Sequence, residues 1–154
     1  MKIKQITDVI ERFAPLALQE SYDNAGLVVG RPDSEVSRAL LAVDVTEAVL
    51  DEAEREGCGL VITHHPIVFH PLKRFNSADC VQRCVERAIR SGIALYACHT
   101  NLDSTPHGMS WRLASLVGVR ELRGLEPLPS GVPDAGVGVV GELCEAMPAE
   151  AFLR

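Results

Sequence analysis

The sequence predicts an α/β fold, a largely parallel sheet covered by helices, from three observations. Short apolar runs at 39–43, 60–63 and 93–97 alternate with segments whose apolar residues recur at helical spacing. Glycines and capping residues punctuate the boundaries, and a chain of 154 residues, 47% hydrophobic and 23% charged, has the composition of one globular domain with a sizeable core.

Taken in order, Ile3, Ile6, Val9, Ile10 and Phe13 mark one face of an N-terminal amphipathic helix that Pro15 ends. A turn-rich stretch, Asp23-Asn24-Ala25-Gly26, follows. The run Ala39-Leu40-Leu41-Ala42-Val43 reads as a strand, and Thr46 can cap the next helix by accepting from an orphan amide of its first turn. Gly57 and Gly59 close that helix, and a buried strand at 60–63 comes next. From Ser77 a helix carries Val81, Cys84, Val85, Ala88 and Ile89 to a stop at Gly92, and a strand at 93–97 starts directly after it. One more helix, 109–117, ends at Gly118.

Such sheets bind ligands outside the carboxyl ends of their strands, which makes the residues there informative. His64-His65 stands where the run at 60–63 stops, and Pro66 forbids its simple continuation. Cys98-His99-Thr100-Asn101-Leu102-Asp103 stands at the equivalent point after the run at 93–97, and Asp44 after the strand at 39–43. If residues 99–103 stay extended, His99, Asn101 and Asp103 project to one side. A lone His pair is more often a solvated loop, Asn-x-Asp commonly caps a helix, and Asp44 can equally belong to the cap before Thr46, so its role stays open. It is the recurrence at strand ends that points to a metal or acid/base site. His70 and His107 read as loop histidines.

Charge and cysteine usage exclude several classes. Fifteen Lys+Arg against 21 Asp+Glu leave a net charge of −6 with no basic run, which argues against nucleic acid and anionic membranes as partners. No signal-peptide core or membrane-length apolar stretch is present, and a cytoplasmic location is expected. Five cysteines without a C-x-x-C pair argue against a disulfide framework or zinc ribbon. Cys80 and Cys84, four apart on a helix, read as members of its apolar stripe. Gly136-Val137-Gly138-Val139-Val140-Gly141 satisfies G-x-G-x-x-G, but a Pro/Gly-rich loop precedes it and the alternation itself reads as a strand, so a dinucleotide site is rejected. Neither a Walker A sequence nor a G-x-S-x-G elbow occurs.

Four segments, in order, are Tyr22-Asp23-Asn24-Ala25-Gly26-Leu27-Val28-Val29-Gly30, Thr63-His64-His65-Pro66, His70-Pro71-Leu72-Lys73 and His99-Thr100-Asn101-Leu102-Asp103. With Val139-Val140-Gly141-Glu142-Leu143 further on, the set resembles the GTP cyclohydrolase 1 type 2 homologue family, also called NIF-three-like, over essentially the whole chain; Tyr22 stands where that family usually has Trp. The resemblance implies an α/β fold carrying a dinuclear metal centre, with His64, His65 and Asp103 as N-terminal metal ligands, one imidazole of the pair per ion, and His99 lining the pocket. It also implies a homo-oligomer, commonly a hexamer built from dimers. The family's remaining His and bridging Glu, in an H-x-x-x-E arrangement, have no counterpart here, since no histidine follows His107.

Met147 to Arg154 begins like a helix, with Pro148 near its first position, and stops after about two turns, too short to be stable unless packed. The expectation is therefore an incomplete domain cut at the C-terminus. Residues 1–123 would form the N-terminal α/β metal-site half, 124–136 a Pro/Gly-rich loop, and 137–154 a strand and helix start belonging to a missing C-terminal part. Imidazole and carboxylate donors suit two divalent ions of iron, manganese, zinc, cobalt or nickel. Such a pair suits a metal-dependent hydrolase of a small-molecule substrate, with GTP ring opening suggested by the family name. The alternative is a non-catalytic metal-binding, metal-delivery or interaction protein. This chain alone, lacking the bridging carboxylate, is expected to bind metal weakly and to be inactive.

Overall fold

A computed structural model describes residues 1–153. The chain forms two compact units, Met1–Leu102 and Asp103–Arg154.

The first unit is built on four strands: β1 (Gly26–Val29), β2 (Ala39–Ala42), β3 (Leu60–Thr63) and β4 (Ala94–Ala97), in the order β1-β4-β3-β2. β2, β3 and β4 run parallel, while β1 lies antiparallel to β4, so the expected parallel sheet carries one antiparallel edge. Helices α1 (Ile3–Phe13), α2 (Glu47–Arg55) and α3 (Cys80–Ser91) cover it. Strand side chains alternate between two cores, as period two requires. Val61 and Leu95 pack with Leu50 and Ala53 of α2 and with Cys84, Val85 and Ala88 of α3. Leu60, Ala94 and Tyr96 pack with Ile3, with Ile6 and Ile10 at the margin. Each fully buried Leu, Ile or Val of these cores contributes about 1.5–3 kcal/mol relative to exposure.

Caps set the helix boundaries. The Thr46 hydroxyl accepts from the Val49 amide at 3.2 Å, as its position in the sequence predicts. Helix α3 begins later than expected from Ser77: Ser77 takes a left-handed φ of 57°, and Asp79 provides the cap, accepting from the Gln82 amide at 2.8 Å and its side-chain amide at 2.9 Å. Gly92, at φ 66°, ends α3 as expected. Strand β1, which the periodicity did not single out, has only four residues and depends on its pairing with β4 for its definition. A 3-10 turn, Leu16–Leu18, joins α1 to the turn-rich stretch.

Residues 100–104 are not extended. They form a short helix, α4 (Thr100–Ser104), so His99, Asn101 and Asp103 do not share a strand face. The Asn101 side chain instead accepts from the His99 amide at 2.9 Å and donates to the Ala14 carbonyl at 2.7 Å, closing the backbone groups at the end of β4 and α1.

In the second unit α5 (Met109–Leu116) precedes an antiparallel ribbon of β5 (Val119–Pro127) and β6 (Gly136–Leu143), and a last turn of helix, α6 (Ala149–Phe152), follows. β5 extends through Gly124 to Pro127, residues read from sequence as the start of a loop at 124–136; pairing with β6 overrides the low strand propensity of glycine and proline. The ribbon explains the glycines of the rejected dinucleotide motif. A Cβ on Gly136 would lie 2.6 Å from the Glu126 carbonyl oxygen, so this glycine lets two backbones approach.

Of the cysteines, Cys58, Cys84 and Cys98 are buried, but Cys80 is exposed, which corrects its placement on the apolar stripe. Cys80 is the first residue of α3, and the buried positions of the helix begin at Gln82. Burial, with the neighbouring Cys80, pushes the Cys84 thiol up to about 11. Among the described residues no helix is long and apolar enough to cross a membrane.

Candidate metal centre

Parallel neighbours β3 and β4 end side by side, with Thr63 opposite Ala97. The residues that follow each strand are therefore brought together: His64 and His65 after β3, His99 after β4. Their ring centres are 4.9 Å apart for His64–His65, 5.2 Å for His64–His99 and 5.5 Å for His65–His99. One nitrogen from each lies within 4.8 Å of the others, a grouping able to hold a metal ion. His64 and His99 are half-buried and His65 is exposed.

The loop after β3 is pinned from within. Thr63 donates its hydroxyl to the His65 carbonyl at 2.9 Å, and the His65 amide donates to the Val43 carbonyl at 3.0 Å. Each ring is held through Nδ1. His64 Nδ1 lies 2.9 Å from the Cys98 carbonyl oxygen, His65 Nδ1 lies 2.7 Å from Asp44 Oδ1, and His99 Nδ1 lies 2.8 Å from Asp23 Oδ1. Asp44, whose role the sequence left open, is thus the partner of His65 at the end of β2.

Asp23 is the buried partner of His99 that residue-by-residue reasoning missed. Its side chain is fully buried, and it also accepts from the Thr100 hydroxyl, from the Thr100 amide at 3.1 Å and from the Asn24 amide at 2.6 Å. Burial alone would raise its carboxyl, but the hydrogen bonds from His99, Thr100 and the amides outweigh that, and it lies below its ordinary value. The signals in the sequence were its place in the turn-rich segment and in the first segment of the family resemblance. No local pattern links it to His99, 76 residues away.

Aromatic rings stand beside the histidines. Phe69 is 6.2 Å from His99, and Tyr22 meets Phe69 edge-on at 6.3 Å. Asn24 ties these two loops by donating to the Val68 carbonyl at 2.7 Å. His70 is exposed beside Phe69, and His107 is exposed in a turn against Trp111, both outside the histidine cluster as expected. Asp103, the carboxylate expected as a ligand, is half-buried in α4 and opens the second unit.

Comparison with known proteins shows what the chain is similar to in sequence and fold. The profile of the family described as Duf34/NIF3 (NGG1p interacting factor 3) matches residues 1–154. A Clostridium acetobutylicum protein named GTP cyclohydrolase 1 type 2 homolog is 35% identical over 147 residues, covering 96% of this chain and 55% of that relative. A crystal structure of a Staphylococcus aureus hypothetical protein is similar with a TM-score of 0.87 at 27% identity, covering 99% of this chain and 62% of the other. Reduced HcgD from Methanocaldococcus jannaschii is similar with a TM-score of 0.83 at 34% identity, covering 99% and 58%. The chain spans about half the length of the curated relatives it matches.

Proposed function

For a chain that belongs to the Duf34/NIF3 family, we propose the function of a metal-dependent hydrolase acting on a small molecule, with two divalent ions in the intact protein. The observation that carries this reading is the histidine cluster in which all three Nδ1 atoms face acceptors. A carbonyl or carboxylate cannot donate, so each neutral ring keeps its proton on Nδ1 and its lone pair on Nε2, the state a metal needs. Nitrogen donors backed by carboxylates suit iron, manganese, zinc, cobalt or nickel over magnesium or calcium.

His64 and His65 are proposed as ligands, and Asp103 as the carboxylate ligand from this half of the protein. A bound divalent pair would supply an acidified water and charge neutralisation on the attacked group. The protein's own part is to hold the imidazoles, to keep their tautomers, and to wall one side with Phe69 and Tyr22, where a flat or apolar part of a substrate would rest. The relatives' name makes GTP the first substrate to try.

The test uses a chain extended to the length of its relatives, stripped with a chelator and reloaded with each of the five metals. Hydrolysis of GTP and of a panel of nucleotides and cyclic amides should disappear on stripping and return on reloading. Full metal retention with no turnover of any of them would reject the hydrolase and leave a metal-binding or delivery protein.

A further inference from the structure

We propose that Cys80 and Cys84 form a dithiol site at the start of α3 that binds one soft monovalent ion, copper(I), between their two sulfurs. The site shares no residue with the histidine cluster and offers sulfur where that cluster offers nitrogen. Its two Sγ atoms lie 3.9 Å apart, four residues along one helix. Cys80 is exposed and gives access from solvent, while Cys84 belongs to the core that α3 shares with α2 and the sheet.

Reach decides between the chemistries open to two thiols. A disulfide needs Cβ atoms about 3.5–4.5 Å apart, whereas residues four apart on a helix hold theirs about 5–6 Å apart. Joining the sulfurs directly would therefore unwind the first turn of α3 and the Asp79 cap that accepts from the Gln82 amide. An ion between the sulfurs removes that constraint. With metal–thiolate bonds of about 2.3 Å, two sulfurs can stand up to about 4.6 Å apart. The observed 3.9 Å lies inside that reach, and a small rotation of the exposed Cys80 side chain opens the angle at the ion towards a straight line. The number of donors then selects the ion. Thiolates favour copper(I), zinc and iron–sulfur clusters, but structural zinc and the clusters are held by four protein ligands. Among the described residues, three His, Cys or carboxylate donors come together at the histidine cluster and not at this pair. Copper(I) is the ion that two thiolates satisfy.

The surroundings supply the charge. Binding breaks two S–H bonds, forms two S–Cu bonds and releases both protons to solvent, with no change of oxidation state. The bound dithiolate carries a net negative charge, and the Arg83 guanidinium is close enough to attract both sulfurs as thiolates. The amides at the start of α3 act in the same sense. Glu47 opposes them in part, but it is itself paired with Arg83 at 2.8 Å. Without an ion, burial and the neighbouring Cys80 push the Cys84 thiol up to about 11, so it keeps its proton and yields it to a metal that binds sulfur strongly.

The experiment is anaerobic titration of the full 154-residue chain with copper(I) against a chromogenic copper(I) chelator, with X-ray absorption at the copper edge to identify the bound atoms. One copper per chain held by two sulfurs is expected, with a thiolate-to-copper absorption band in the ultraviolet. Cys80→Ser should remove the band and weaken binding by more than the roughly 10–100-fold that losing a supporting contact to a metal site costs. Cys84→Ser should do the same, while Cys144→Ser, which alters the other exposed cysteine, should leave both unchanged. Because Cys80 is exposed, its variant keeps the test decisive if the buried Cys84→Ser fails to fold. Copper coordinated by nitrogen alone, or a band and affinity unchanged in Cys80→Ser, would overturn the proposal. So would thiol counting after mild treatment with glutathione disulfide that found a Cys80–Cys84 disulfide with α3 intact by circular dichroism, since the spacing argument would then fail.

Discussion

Asn101 shows how one side chain can serve the site without touching it. Fully buried, it closes the His99 amide and the Ala14 carbonyl, two groups 85 residues apart in sequence that water cannot reach. Asn101→Ala leaves both unsatisfied, and a loss of about 1–3 kcal/mol in urea unfolding is expected, with weaker metal retention because His99 is no longer anchored. At the surface, Glu54 accepts from Arg87 and Ser91, which pull its carboxyl from 4.5 down to about 2. Because the folded value is depressed, the link between α2 and α3 is complete above 4.5 and is lost as pH falls towards 2. Wild type should therefore exceed Glu54→Gln in melting temperature at neutral pH, and the gap should close across that acid range. A gap independent of pH would show that packing, and not charge, joins the two helices.

At the scale of elements, caps and cores contribute differently. Asp79→Ala removes the cap of α3, and a loss of about 1 kcal/mol is expected. Leu95→Ala, in the centre of β4 and 1% exposed, should cost about 2–5 kcal/mol, because the cavity lies between a strand and two helices. Denaturant titration of both variants checks the order; an equal loss would mean that the sheet collapses around the cavity. The helices were legible because their apolar residues recur every three or four positions and their ends carry Thr46 and Gly92. β1 and β5 were not, since a four-residue run and a glycine- and proline-bearing strand acquire strand geometry only from the partner that pairs with them. α4 was read as extended on a conditional argument, and its local hydrogen bonding, with Leu102 donating to the His99 carbonyl at 2.8 Å, decided otherwise.

For the whole molecule, two proposals concern what lies beyond single elements. The bridging Glu and last His that the resemblance implies have no counterpart among these 154 residues, so we propose that a second tightly held ion requires the longer chain. Metal content after dialysis should be at most one per chain for the 154 residues and two for the extended protein, and two retained ions in the shorter form would contradict this. The homo-oligomer implied by the resemblance is also proposed, for the intact protein. Edge strand β2 supports it, since Leu41 is 74% exposed and Val43 just after it 62% exposed at the edge of the sheet. Leu41→Lys in the extended protein should lower the mass seen by light scattering, and an unchanged mass would place the interface elsewhere.

The sequence by itself determined the class of fold and the three histidines, because periodicity and turn chemistry act over a few residues and because strand ends are where an α/β sheet presents its ligands. Tertiary structure alone decided which of those ends meet. Pairing β3 beside β4 set His99 against His64 and His65, and the fold brought the Cys98 carbonyl to His64, Asp44 to His65 and Asp23 to His99 as their acceptors. These are contacts between residues 21 to 76 positions apart, and nothing in a local pattern encodes a distance across the sheet.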